Sequence, residues 1–146
     1  MARDEEAVFT GEGVDRRKSG YYSTPEIVTD YISDRLISLN PSGRHLLDPC
    51  IGKGEMVFPF LEKEIEVDGL DVIKHSNHEK VNFEKRDFLS YYSNRKKELT
   101  SKNYISDKYD YYVANPPYKS HKSGYIKSNK ARLENIFPYV GSLNIY

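Results

Sequence analysis

Four short apolar or aromatic segments, separated by segments of helical character, most constrain the fold of this 146-residue chain. The predicted strands cover residues 45–48, 65–71, 81–86 and 109–114. Helices are predicted over 25–39 and 55–64, and a charged segment over 90–102 has a helical tendency. Alternating strands and helices are typical of βαβ units with parallel strands. We therefore expect an α/β fold built on a parallel sheet.

The first predicted helix begins with residue types that favour a helix start. Thr24 is predicted as the N-cap, with Pro25 at the first helical position and Glu26 in the first turn. Apolar residues then recur at helical spacing, which predicts one buried face. The predicted face consists of Ile27, Val28, Tyr31, Ile32, Leu36 and Leu39. The polar residues 1–20 before this helix are expected to form a flexible arm.

Length and composition define the broad class of protein. The length fits one domain, and 38% hydrophobic with 30% charged residues fits a folded chain. The single cysteine, Cys50, excludes a disulfide framework, and the four histidines show no metal-ligand spacing. Residues 1–6 lack the features of a secretory signal, and no apolar stretch approaches the ~20 residues that span a bilayer. We expect a cytoplasmic protein without membrane contact.

The net charge of zero hides an uneven distribution. Residues 116–146 contain five cations against Glu134 alone, a balance of +4, so residues 1–115 carry −4. Tyrosines are interleaved with those cations, a mixture that suits the backbone and bases of a nucleic acid. A solvated loop has the same composition, and charge alone favours that simpler interpretation.

Each predicted strand ends in residues that can bind a ligand. In open parallel sheets, ligands bind beyond the carboxyl ends of the strands. The four strand ends carry Asp48 with the loop 49–54, then Asp71, then Asp87 and Phe88, and finally Asn115, Pro116, Pro117 and Tyr118. Because these residues recur in order at successive strand ends, the sequence predicts one binding site there.

The glycine loop fits neither of two common nucleotide-binding fingerprints. A dinucleotide fingerprint needs a third glycine where Val57 stands, and a phosphate loop needs Ser or Thr after its lysine, where Gly54 follows Lys53. A ligand with no phosphate to cradle fits better. Asp71 lies 23 residues beyond Asp48, near the ~20-residue offset at which an acid accepts hydrogen bonds from a ribose diol.

Three motifs follow one another along the chain. Residues 20–25 read Gly-Tyr-Tyr-Ser-Thr-Pro, residues 47–54 read Leu-Asp-Pro-Cys-Ile-Gly-Lys-Gly, and residues 113–118 read Val-Ala-Asn-Pro-Pro-Tyr. In this order they resemble the aromatic-Thr-Pro motif, the S-adenosylmethionine loop and the Asn-Pro-Pro-Tyr motif of gamma-arrangement N6-adenine DNA methyltransferases. The resemblance covers roughly residues 16–146 and implies a Rossmann-like class I methyltransferase sheet with strand order 3-2-1-4.

The resemblance also implies a role for each motif residue. Tyr22, Thr24 and Pro25 would border the methionine end of S-adenosyl-L-methionine. The loop beneath the cofactor would consist of Asp48, Pro49, Cys50, Gly52 and Gly54. Asp71 would bind the ribose hydroxyls, Asp87 the adenine amino group and Phe88 an adenine face. The residues of the catalytic motif that would hold the target base are Asn115, Pro116, Pro117 and Tyr118.

The chemistry of an exocyclic amine explains the catalytic motif. Such an amine is a poor nucleophile because its lone pair is delocalised into the ring. The side-chain oxygen of Asn115 and the carbonyl of Pro116 can both accept hydrogen bonds from the NH₂ group, which directs the lone pair toward the methyl group. Two prolines stiffen the turn, which favours catalysis by positioning. Tyr118 offers a face on which a base extruded from duplex DNA can stack.

The resemblance implies a site-specific DNA adenine-N6 methyltransferase of a restriction–modification or related system. Its partners would be duplex DNA and a restriction or specificity subunit. We expect residues 21–146 to be the S-adenosylmethionine-binding part of a catalytic domain, truncated before the remaining strands and the target-recognition domain, and the chain to have little activity alone. Three alternatives stay open: a protein-glutamine or RNA amino-methyltransferase, a cytosine-N4 DNA methyltransferase, and an inactive cofactor-binding fragment.

Overall fold

The computed structural model describes residues 9–10, 13–14, 22–74, 79–88, 90–92, 94, 109–117 and 127–136. Their elements in chain order are β1 (Phe9–Thr10), β2 (Gly13–Val14), α1 (Glu26–Leu39), β3 (His45–Asp48), α2 (Phe58–Leu61), β4 (Glu66–Asp71), β5 (Asn82–Lys85), β6 (Tyr111–Tyr112) and α3 (Lys130–Ile136). The chain divides into two units. One is Ser23–Asn115, and the other combines Met1–Tyr22 with Pro116–Tyr146.

The unit Ser23–Asn115 is built on a parallel sheet of four strands in the order β5-β4-β3-β6. Leu46 of β3 lies opposite Val67 of β4 on one side and Tyr111 of β6 on the other. The α/β class and the strand order 3-2-1-4 predicted from the sequence are therefore confirmed. β3 has its predicted bounds, and β4 and β5 differ from prediction by one residue at their ends.

β6 is shorter than the predicted strand 109–114. The carboxylate of Asp110 accepts hydrogen bonds from the backbone amides of Arg44 and His45, at 2.7 and 3.0 Å from its Oδ2 atom. A side chain thus takes the place of a backbone partner at the start of β3. Only Tyr111 and Tyr112 form regular ladder pairs with that strand.

One face of the sheet carries the hydrophobic core. Its buried members come from the strands, from the loop after β3 and from α2. They are Leu46, Ile51, Met56, Val57, Phe60, Ile65, Val67, Val81, Tyr111 and Val113. Leu46 and Leu47 are both buried, as expected for a central parallel strand covered on both faces. The core therefore holds β3 and the loop that follows it in a fixed position.

Helix α1 packs on this core through only part of the predicted face, because Ile32 and Leu36 lie inward as predicted and the other four residues do not. Ile27, Tyr31 and Leu39 are 79%, 70% and 65% exposed, and Val28 is exposed as well. The inward face consists of Thr29, Ile32, Ser33, Leu36 and Ile37. The hydroxyls of Thr29 and Ser33 donate to the carbonyls of Glu26 and Asp30 in the same helix. Because the helix itself satisfies these hydroxyls, they can be buried at little cost, and hydrophobicity alone predicts only part of the buried face.

The start of α1 also differs from prediction. The helix begins at Glu26, and Pro25 occupies the N-cap position with φ −59° and ψ 142°. The Pro25 carbonyl accepts the first helical hydrogen bonds, from the amides of Val28 and Thr29. Thr24 is therefore not the N-cap, and its hydroxyl makes a different contact, described below.

Helix α2 is shorter than the predicted helix 55–64. Turns replace the helix over 55–57 and 62–64. Pro59 stands in the first turn, where it lacks an amide to donate. Glu64 has a φ of +58°, which ends the helical path before β4.

The remaining predictions fall partly on residues outside the described ranges. Residues 88, 90–92 and 94 are helical, and residues 93 and 95–102 of the predicted charged segment lie outside the described residues. Of the predicted arm 1–20, only β1 and β2 are described, and they pair as antiparallel strands. No helix within the described ranges is long and apolar enough to cross a membrane.

Candidate functional site at the strand ends

The loop after β3 has the backbone that its glycines predict. Gly52 and Gly54 have φ values of +54° and +89°, in the left-handed region that favours glycine. The amide of Ile51 donates to the carbonyl of Leu70 in β4 at 2.9 Å. The loop therefore turns back onto the end of the neighbouring strand before α2 begins.

Asp48 lies beneath this loop. Its side chain is 1% exposed, and its Oδ1 atom accepts a hydrogen bond from the amide of Cys50 at 2.9 Å. Burial raises the pKa of the carboxyl to about 7, and the nearby carboxylates of Asp71 and Glu55 raise it further, although the Cys50 amide opposes the shift. Asp48 is thus placed to shape the loop from below rather than to contact a ligand directly.

Asp71, at the end of β4, is bound to the same loop. Its Oδ2 atom accepts from the amide of Gly52 at 2.8 Å, and its Oδ1 atom accepts from the amide of Ile73 at 3.3 Å. Carboxylate oxygens can each accept more than one hydrogen bond. The half-buried carboxylate can therefore hold the loop and still accept from a pair of ligand hydroxyls.

Asp87 and Phe88 follow β5, where a helical segment begins. The Asp87 carbonyl accepts from the amide of Tyr91 at 3.1 Å, and its Oδ2 atom accepts from the hydroxyl of Ser90 at 3.4 Å. Phe88 is partly exposed, and its ring centroid lies 6.4 Å from that of Tyr92. Asp87 therefore has a structural role at the start of this segment in addition to any ligand contact.

Cys50 lies in the loop after β3, where the charges of the three strand-end carboxylates act on its thiol. Burial raises the pKa of its thiol to about 12, and the charges of Asp48, Asp71 and Asp87 all add to that shift. The three carboxylates therefore act on one loop position. A thiol with this pKa stays protonated at neutral pH, which agrees with a packing role and not with a nucleophile.

Asn115 contacts the segment before α1. Its Nδ2 atom donates to the hydroxyl of Thr24 at 2.9 Å, across 91 residues of sequence. Ser23, the preceding residue, donates from its hydroxyl to Oε1 of Glu55 at 3.1 Å. Two consecutive side chains therefore bind the segment before α1 to the end of β6 and to the loop after β3.

A cavity of about 900 Å³ lies beside these contacts, and Thr24, Pro25 and Phe58 line part of it. Its charged lining residues are Glu26, Asp30, Glu55, Glu62, Glu79 and Lys80. The surplus of carboxylates favours a ligand with positive charge. Of the predicted cofactor residues only Thr24 and Pro25 line it, whereas Asp48, Gly52, Asp71 and Asp87 do not.

Four other predicted residues lie outside the unit Ser23–Asn115. Tyr22, Pro116 and Pro117 belong to the unit that contains both ends of the chain. Tyr118 lies outside the described residues. Their roles remain predictions, as does that of the half-buried Pro49 in the loop.

Two residues of the site, Ser23 and Glu55, received no role from the sequence. Ser23 stands inside the motif 20–25 and Glu55 directly follows Gly54, and these positions were the available signal. Within the described ranges, no group of three or more His, Cys, Asp or Glu side chains is arranged to hold a metal ion.

The fold and the strand-end residues define an α/β protein with a four-stranded parallel sheet. Protein-family models and curated proteins were both searched, and neither comparison gives a match.

Proposed function

We propose that this chain binds S-adenosyl-L-methionine and forms the cofactor-binding and catalytic-motif part of a DNA adenine-N6 methyltransferase of a restriction–modification or related system. The observation that carries the proposal is the order β5-β4-β3-β6 of the sheet. This order sets Asp87, Asp71, Asp48 and Asn115 after four adjacent parallel strands, as the resemblance requires. Ligands of open parallel sheets bind at this edge.

The residues present fit the chemistry of the cofactor. S-adenosyl-L-methionine carries a positive sulfonium and an ammonium group, and the carboxylates of Asp71 and Asp87 at the strand ends favour positive charge. Asp71 would accept hydrogen bonds from the ribose hydroxyls. The glycine loop over Asp48 would let the backbone approach the cofactor closely. When bound, the cofactor supplies the methyl group that is transferred.

The role of Asn115 in this proposal is to position an amine. Its Oδ1 atom and the carbonyl of Pro116 would accept the two hydrogens of the adenine amino group, so that the nitrogen lone pair faces the methyl carbon. Asn115 and Pro116 would thus hold the amine in line with the methyl group that the bound cofactor would supply. The methylated nitrogen would release one proton to solvent. Positioning of this kind supplies much of the rate in such transfers.

Two measurements test the proposal. Calorimetric titration of this chain with S-adenosyl-L-methionine should give one binding site, and the same protein should transfer a trace of tritiated methyl label to duplex DNA. Digestion of the DNA to nucleosides should place that label on N6-methyladenine. Asn115→Ala should abolish transfer and leave cofactor affinity nearly unchanged.

The matched control is Asn82→Ala, because Asn82 also donates from its Nδ2 atom, to Asp68 at 3.1 Å within the sheet. It should leave the transfer of label unchanged. Absence of cofactor binding would overturn the proposal. Label found on N4-methylcytosine, in RNA or on a glutamine side chain would show that the substrate is not the adenine of DNA. Cofactor binding without transfer to any of these substrates would show that the chain is an inactive fragment.

A further inference from the structure

The contact between Thr24 and Asn115 joins two motifs whose roles in the sequence analysis were separate. We infer that Thr24 is a positioning residue that fixes the orientation of the Asn115 amide, so that its oxygen and not its nitrogen is presented to the substrate. The inference rests on the proposed function and deepens it, because it says why this site would accept an amine. Thr24 is otherwise assigned only to the border of the cofactor.

Both ends of the contact are anchored. Thr24 directly precedes Pro25, whose carbonyl accepts the first hydrogen bonds of α1 at 2.9 and 3.1 Å. Asn115 follows β6, and the amide of Val113 donates to the carbonyl of Leu47 in β3 at 3.2 Å. The 2.9 Å contact from Asn115 Nδ2 to Thr24 Oγ1 therefore joins two segments held by backbone hydrogen bonds. A contact between anchored segments can orient a side chain at little further loss of entropy.

The surroundings of Thr24 favour the orientation in which the side-chain nitrogen of Asn115 faces the Thr24 hydroxyl. A hydroxyl can donate as well as accept, whereas an ionised carboxylate only accepts. Thr24 lines the cavity together with Glu26 and Glu55. The negative potential of these carboxylates attracts the hydroxyl hydrogen toward the cavity, which leaves an oxygen lone pair for the Asn115 nitrogen. The acidic cavity and the orientation of the amide are therefore linked through one hydroxyl group.

The orientation selects the chemical class of the substrate. The two terminal atoms of a planar amide diverge, so a nitrogen held by Thr24 turns the oxygen in another direction. An oxygen accepts from the NH₂ group of a base or of another amide, whereas a nitrogen in its place would set donor against donor. Loss of the Thr24 hydroxyl should thus lower the rate of transfer and not the affinity for the cofactor.

The test compares Thr24→Val, which replaces the hydroxyl with a methyl group of similar shape, with Thr24→Ser, which keeps the hydroxyl. The side-chain NH₂ signals of Asn115 are assigned in ¹⁵N NMR spectra by their absence in Asn115→Ala. In Thr24→Val these signals should shift and their hydrogens should exchange at least threefold faster. In Thr24→Ser both properties should stay close to those of the wild type.

Methyl transfer at saturating cofactor provides the second readout. Thr24→Val should lower the rate at least tenfold with cofactor Kd within twofold of wild type, and Thr24→Ser should recover most of the rate. The matched control is Ser33→Ala, because it also removes a hydroxyl group, but one that donates to the Asp30 carbonyl in α1 and does not line the cavity. It should leave the Asn115 signals and the rate unchanged. If Thr24→Val does not fold, Thr24→Ala serves in the same measurements.

Unchanged Asn115 signals in Thr24→Val, or a Thr24→Ser variant that behaves like Thr24→Val, would overturn the inference. A tenfold loss of cofactor affinity in Thr24→Val with an unchanged rate would also overturn it. A wild-type chain that binds no cofactor would count against the proposed function alone, because the NMR comparison reports the orientation of the amide without cofactor or substrate.

Discussion

The amide of Gly52 donates a hydrogen bond to Oδ2 of Asp71 at 2.8 Å. This contact joins the loop after β3 to the acid at the end of β4, so the two predicted cofactor elements form one unit. A residue expected to bind ribose hydroxyls therefore also holds the loop in its left-handed turn. Loop shape and ligand binding should change together when Asp71 is replaced.

Asp71→Ala should weaken binding of S-adenosyl-L-methionine about 10- to 150-fold. Hydrogen bonds to a charged acceptor contribute about 1.5–3 kcal/mol, and each ~1.4 kcal/mol is tenfold in affinity. Calorimetry measures the change. Asp68→Ala is the control from the same strand, because the Asp68 carboxylate accepts from Tyr109 and Asn82 instead. Equal affinities of wild type and Asp71→Ala would refute the ribose role.

Asp48 should make the protein less stable as the pH rises from about 4 to about 7. Burial raises the pKa of its carboxyl from 3.8 to about 7 in the folded state. Between those values the folded chain binds one more proton than the unfolded chain, so the free energy of unfolding falls with pH. The loss is at most about 4 kcal/mol, at ~1.36 kcal/mol per pH unit.

Asp48→Asn removes this titration while keeping an oxygen for the Cys50 amide. Urea unfolding should show the variant gaining stability relative to wild type between pH 5 and pH 8. Asp110→Asn is the control with the opposite sign, because backbone amides of Arg44 and His45 lower the pKa of the Asp110 carboxyl. The stabilising contribution of the Asp110 carboxylate is lost only as the pH falls below the ordinary pKa of an aspartate. The difference in unfolding free energy between Asp110→Asn and wild type should therefore stay constant from pH 5 to pH 8. A constant difference for Asp48→Asn would contradict the prediction.

Gly69→Ala should destabilise the sheet by about 1–3 kcal/mol, as overpacking of a core does. A Cβ atom on Gly69 would clash with Cδ1 of Ile51 in the loop and would lie 3.0 Å from Cγ1 of Val81. Ile51→Val removes the clashing atom, so the double variant should lose less stability than the sum of the single variants. Urea unfolding of all four proteins measures this coupling, and strict additivity would show that the clash is relieved elsewhere.

Cys50 should react slowly with iodoacetamide in the folded protein. Its thiol pKa is raised to about 12 from an ordinary 9.0, which lowers the thiolate fraction at pH 8 about a thousandfold. The same chain unfolded in urea is the control and should react at the ordinary rate. Similar rates in the two states would show that the thiol is accessible and ionises normally.

Local signals were sufficient to predict the sheet and the loop. The buried run Leu46–Leu47, the glycines that take positive φ and the acids that follow successive strands all act within a few residues. Alternation of strands and helices predicted the parallel pairing, whereas the strand order was implied by the resemblance to gamma-arrangement methyltransferases. These features depend on backbone sterics and on the burial of apolar residues, which short segments already express.

Long-range partners decided the remaining features. Thr24 is of a residue type that often caps helices, but its hydroxyl accepts a hydrogen bond from Asn115, 91 residues away. The apolar Ile27 and Tyr31 face outward, while Thr29 and Ser33 are buried against the core. Asp110 shortens β6 by binding the amides at the start of β3. Each of these side chains has two physically acceptable uses, and the choice depends on groups that only the folded chain brings within hydrogen-bonding distance.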